Sequence, residues 1–133
     1  MADIKRRFSS IERSDLLQKS QKCLWQPSGK VGLDYLKNKR GLSNKTIHAF
    51  GLGYVPQKVE HQLAGRIIFP LYDPSSRLIV LLSRLIIGES FLPDHWHEAY
   101  EKSFYLYGAN LAKTSMLHWK FALLVEGPFD VLR

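Results

Sequence analysis

Cysteine is almost absent from this chain. Cys23 is the single one among 133 residues, which excludes an intrachain disulfide and any cysteine-rich zinc site. Long apolar runs are absent too: no stretch approaches the roughly 20 apolar residues that span a membrane. The basic opening, "MADIKRRFSSIERS", has no apolar segment behind it, so it does not read as a secretory signal. Together these gaps predict a cytoplasmic protein with no membrane partner. Acidic side chains are the minority charge, 12 against 19 basic ones, for a formal net charge of +7. A surplus of this size suits a phosphate-rich partner, nucleic acid foremost, although a merely solvated basic surface has the same composition.

What is present is an ordinary globular mixture, 45% hydrophobic and 23% charged, sufficient for one core at this length. Ser9 and Glu12 have capping-box spacing. The run behind them sets Ile11, Leu16, Leu17 and Leu24 toward one helical side, which predicts a helix ended by "QPSG". A second helix is expected through "VGLDYLKNKR", stopping at Gly41, and a third through "NKTIHAF", capped by Ser43 and stopping at Gly51. Leu33, Leu36, Leu42, Ile47 and Phe50 would face inward. With Lys45 as its only cation, the short last helix suits a packing hairpin better than a DNA-reading one.

From Arg66 the texture changes. "RIIFPLYD" and "RLIVLLSRLI" flank the turn signal "DPSS", which predicts a β-hairpin whose second strand is covered on both faces. "GESFLPDHWHEAYEKS" reads as a loop, "GANLAKTSM" as a short helix and "FALLVE" as a buried strand ending on a Gly-Pro turn. The fold class expected is α+β.

Two constellations carry chemistry. Glu126 ends an apolar strand and Asp130 follows four residues later. Carboxylates placed this way hold Mg²⁺ or Mn²⁺ beside phosphates, with Glu126 the first metal ligand. An ordinary loop acid and a helix-start acid would have the same spacing. The second constellation is cationic: Arg40, Arg66, Arg77, Arg84, Lys102 and Lys113. Trp96, Tyr100, Phe104, Tyr105 and Tyr107 interleave with it. Guanidinium forks, ammonium groups and stacking rings are what a single-strand groove needs; solvated strand-end charges and core rings are the plainer reading. His95 and His97 lack a third ligand at zinc-like spacing, so no zinc is expected. "GLGYVP" lacks the full nucleotide fingerprint and reads as a turn.

Four stretches, in this order, resemble the catalytic core of bacterial and phage DNA primases. They are "YLKNKRGLSNKTIHAFGLGYVP", "GRIIFPLYDPSSRLIVLLSRLI", "LYGANLAK" and "LLVEGPFDVL". The last is similar to the Glu-Gly-x-x-Asp opening of a TOPRIM domain. The resemblance implies N-terminal helices, a central sheet containing the hairpin, and the first strand of a truncated TOPRIM α/β domain. The divisions implied are a helical extension over 1–26, a primase-core subdomain over 27–119 and the start of TOPRIM over 120–133. It implies RNA primer synthesis on single-stranded DNA from ribonucleotides, with Mg²⁺ or Mn²⁺ and a replicative helicase as candidate partner. Glu126 and Asp130 match the catalytic acids; Arg40, Arg66, Arg84 and Lys102 match groove cations. Pro93-Asp94 stands where the family often has Pro-Lys, and the family's Asp-x-Asp metal motif has no counterpart. The chain alone is therefore expected to be inactive in primer synthesis. A different class, a non-catalytic module that binds single-stranded DNA or docks a replication partner, needs the cations but not Glu126.

Overall fold

The computed structural model describes residues 4–101, 105, 107–111 and 132. Within them, helices surround a four-stranded antiparallel sheet. Helix α1 (Ser10–Leu24) opens on the expected capping box: Ser9 accepts from Glu12 N and the Glu12 side chain accepts from Ser9 N. Helix α2 (Lys30–Asp34) runs on into a wider π-helical turn, Tyr35–Lys39, and α3 (Asn44–Ala49) is capped by Ser43. The extra residue in the π turn moves Arg40 N onto the carbonyl of Tyr35 at 3.1 Å, a local distortion of the sort that often marks functional positions. Gly41 then takes φ +70°, which a side chain would resist, and the helix stops.

The sheet is a meander of β1 (Gly53–Val55), β2 (Arg66–Tyr72), β3 (Leu78–Leu85) and β4 (His95–His97), in that order. The expected hairpin is β2 and β3. Its turn is tied by Asp73, which accepts from Ser75 N, Arg77 N and Arg77 Nε at 2.8 to 2.9 Å. Two strands depart from the sequence reading. β1 lies inside "GLGYVP", which reads as a turn, and β4 lies inside the segment that reads as a loop. Each is three residues long, too short for alternation to register, and exists because a neighbouring strand offers its backbone groups. The strand covered on both faces is β2, buried from Arg66 to Leu71, whereas β3 is only partly covered.

Side-chain alternation divides the core. Tyr54, Ile67 and Phe69 face Leu24, Leu36, Leu42, Ile47 and Leu132 on one side. Val55, Ile68 and Leu81 face Phe8, Leu17 and Leu63 on the other. α1 therefore lies along the edge strand β1 and sends Leu17 to one cluster and Leu24 to the other. It packs on the sheet through both. The approach is close: a Cβ added at Gly53 would sit 2.2 Å from Ser20 Oγ. Ile11, expected to face inward, is 82% exposed, and the inward stripe is Arg13, Leu17, Ser20 and Leu24. No described helix is long and apolar enough to cross a membrane.

Candidate functional site

Strand register decides which cations can meet. Arg84 of β3 stands opposite Ile67 on one side and His95 of β4 on the other. Directly opposite residues share a sheet face, and the Arg84 guanidinium donates to His95 Nε2. That bond requires a neutral ring. Burial pulls His95 below the usual histidine range, and the charges of Arg84, Arg40 and Arg66 pull it the same way against Asp94. Arg40 belongs to the end of the π turn. It is oriented by its own helix: Nε donates to Tyr35 Oη at 3.0 Å, and the guanidinium lies 5.5 Å from the Tyr35 ring centroid. The π turn positions Arg40, and strand pairing positions Arg84.

His97 lies two residues beyond His95, on the same face of β4. Its ring meets Tyr100 edge-on at 5.3 Å between centroids, and Tyr100 lies 6.4 Å from Tyr105. The Arg84–His95 contact therefore leads along β4 into a row of partly exposed rings. Trp96 and Tyr107, also considered in the sequence, sit elsewhere. Trp96 packs against Phe8, and Tyr107 lies between Phe50 and Phe69, its phenol pushed up by burial.

Arg66 occupies a different place. Its register partner is Leu85, one residue out of step with Arg84, so it projects from the opposite face. It is fully buried. The guanidinium donates to Ser83 Oγ, Ser90 Oγ and the carbonyls of Leu92, Pro93 and Asp94 at 2.8 to 3.2 Å. Burial lowers its pKa, with Asp94 working the other way. Arg66 clasps the segment between β3 and β4 and so helps to set the position of His95. Arg77 is 81% exposed at the hairpin turn and salt-bridged to Asp73. Lys102, Lys113, Phe104, Glu126 and Asp130 lie outside the described residues.

A further pair carries no signal in hydrophobic pattern alone. Arg13 of α1 and Glu98, just after β4, form a buried bidentate salt bridge: Nε to Oε2 at 2.8 Å and Nη2 to Oε1 at 2.7 Å. Glu98 also accepts from Phe8 N and Leu81 N, and Arg13 donates to Phe8 O. The clue was available in the helix: a charged residue four positions before Leu17, on the inward stripe, requires a partner. Which acid answers it depends on tertiary packing.

Among the described residues no group of three or more His, Cys, Asp or Glu could hold a metal ion.

No protein-family model matches the chain. Curated relatives do. The DNA primase of Synechocystis sp. is 29% identical, over 82% of this chain and 23% of its own length. That of Myxococcus xanthus is 30% identical over 82% and 24%, and that of Helicobacter pylori strain J99 is 27% identical over 75% and 23%. The chain spans about a quarter of the length of these relatives. Among solved structures, a DnaG catalytic core superposes with a TM-score of 0.78 at 23% identity, over 90% of this chain and 48% of that one. The RNA polymerase domain of Mycobacterium tuberculosis DnaG gives 0.79 at 16% identity, over 92% and 50%. A DnaG catalytic domain bound to single-stranded DNA gives 0.76 at 23%, over 90% and 47%. Over the stretch it spans, this chain is related to bacterial DNA primases, and its fold is the α+β fold of about half of a DnaG catalytic core.

Proposed function

We propose that this chain forms the template-binding part of a DNA primase catalytic core and serves DNA-templated synthesis of RNA primers. The observation that carries the reading is the contact of Arg84 with His95 on the sheet face they share with Ile67, with Arg40 held by Tyr35 at the end of the π turn as the second candidate cation. Two guanidinium groups held by their own neighbours offer a phosphate backbone fixed, forked donors. Lys102 extends the same basic line in sequence. Arg66 supports it from behind, by holding the segment that delivers His95. Glu126 and Asp130 supply the carboxylates for Mg²⁺ or Mn²⁺, which would neutralise charge on the transferring phosphate. The partners are single-stranded DNA and ribonucleotides, with a replicative helicase, in the cytoplasm.

The test is binding of a labelled single-stranded oligonucleotide across a salt series. Arg84→Ala and Arg40→Ala should each weaken binding and flatten the slope of log affinity against log salt by roughly 0.7 for each phosphate the variant no longer engages. Unchanged affinity in both variants would remove the reading. The runner-up is a non-catalytic single-strand-binding module. Glu126→Gln distinguishes the two. In both, DNA affinity stays level or rises slightly. Only in a primase does primer synthesis fall, measured on a longer chain that includes the rest of the core.

A further inference from the structure

We infer that His97, Tyr100 and Tyr105 form a base-stacking row that continues the Arg84–His95 contact. The bound strand would lay its phosphates on the guanidinium groups and its bases on the rings. This rests on the nucleic-acid function proposed for the same face and adds to it a second recognition of different chemistry.

Three observations carry it. First, position: His95 and His97 are alternate residues of β4, so they share the face of Arg84, and β4 is the last strand of the sheet among the described residues. Second, the rings form a continuous row. His97 touches Tyr100 at 5.3 Å and Tyr100 approaches Tyr105 at 6.4 Å, at interplanar angles of 77° and 51°. Rings set at steep angles to one another leave faces that are not stacked on each other. Third, orientation is fixed in advance. His97 Nδ1 lies 2.8 Å from the Glu98 carbonyl, which holds the ring. Glu98 itself is anchored on the opposite side by Arg13, Phe8 N and Leu81 N. A ring held in place loses less entropy when a base stacks on it.

A purely structural row of rings would not distinguish bases from bare backbone, and that difference is the test. The 133-residue chain is titrated with a labelled oligothymidylate of about twelve nucleotides, within the usual single-strand site size, and with an abasic oligonucleotide of the same length and charge. The wild-type chain should bind the first more tightly. Tyr100→Leu and His97→Leu should each reduce affinity for oligothymidylate about 5- to 150-fold, leave the salt slope unchanged, and leave abasic binding as it was. Tyr100→Phe should retain near wild-type affinity, since it keeps the ring. If Tyr100→Leu disturbs folding, seen as a lowered Tm, the wild-type comparison and the quenching of 2-aminopurine placed in the oligonucleotide still decide the matter. Equal wild-type affinity for the two oligonucleotides, or equal losses on both in the leucine variants, overturns the stacking row. Should Arg84→Ala weaken binding while Tyr100→Leu does not, the row alone falls. Should neither matter, the nucleic-acid reading falls with it.

Discussion

Arg66 and Arg84 are separated by a single register step, and that step gives them opposite roles. Arg84 shares a face with His95; Arg66 is turned into the molecule and surrounded by five acceptors. A planar guanidinium can serve acceptors spread over one plane, and an ammonium cannot. Arg66→Lys should therefore destabilise the chain by about 3 kcal/mol or more, since several buried carbonyls lose their donor. Urea unfolding measures this, and a protease cut gained between residues 88 and 94 would locate it. The Arg13–Glu98 pair makes a second prediction. Arg13→Met leaves a buried carboxylate with backbone donors only, and should cost about 3–5 kcal/mol. A double-mutant cycle with Glu98→Gln should show a large coupling, because each single change already breaks the same ion pair.

At the scale of elements, α1 was legible and its role was not. Ser9, Glu12 and the apolar spacing predict a helix, and the capping box is there. Ser9→Ala should lower stability by about 1 kcal/mol, read as a shift in the urea midpoint at constant m-value. The close seat of α1 on β1 makes a stronger claim. Gly53→Ala sets a methyl 2.2 Å from Ser20 Oγ, so the helix must move, at about 1–3 kcal/mol. Pairing Gly53→Ala with Ser20→Ala or Ser20→Gly should recover part of the loss. The short strands β1 and β4 escaped sequence reading for a common reason. Three residues hold too little pattern, and "HWH" reads equally well as loop until β3 is beside it.

For the molecule as a whole, acidity should loosen the fold before carboxylates titrate. His61 Nδ1 accepts from Leu63 N at 3.0 Å, which needs an unprotonated nitrogen. Burial is the main cause that lowers its pKa. The unfolded chain therefore takes up the proton first, near pH ~6.5, and stability should fall as pH drops from about 6.5 toward the folded-state value. His95 titrates in the same sense, its pKa lowered by burial and then by Arg84. His61→Asn, whose side-chain oxygen can still accept from Leu63 N, should remove part of the loss in Tm between about pH 7 and 5. An unchanged slope would show that His61 plays no part. Asp73 acts further down. Bonds from Arg77 and Ser75 hold its carboxylate below the usual range, so the stability it contributes is present above about pH 4 and is lost as pH falls through its folded value.

The sequence by itself determined the charge surplus, the helix boundaries, the hairpin and the order of the primase-like stretches, because each rests on residues adjacent in the chain. Capping, turn chemistry and apolar period act within a few positions. Which cations meet was another matter. Arg40, Arg66 and Arg84 look equivalent as letters. Strand register, fixed by the whole sheet, put Arg84 beside His95 and sent Arg66 to the far face. Long-range packing likewise joined Arg13 to Glu98, 85 residues away. A side chain's direction in a sheet depends on its partner strand, and no local pattern carries that information.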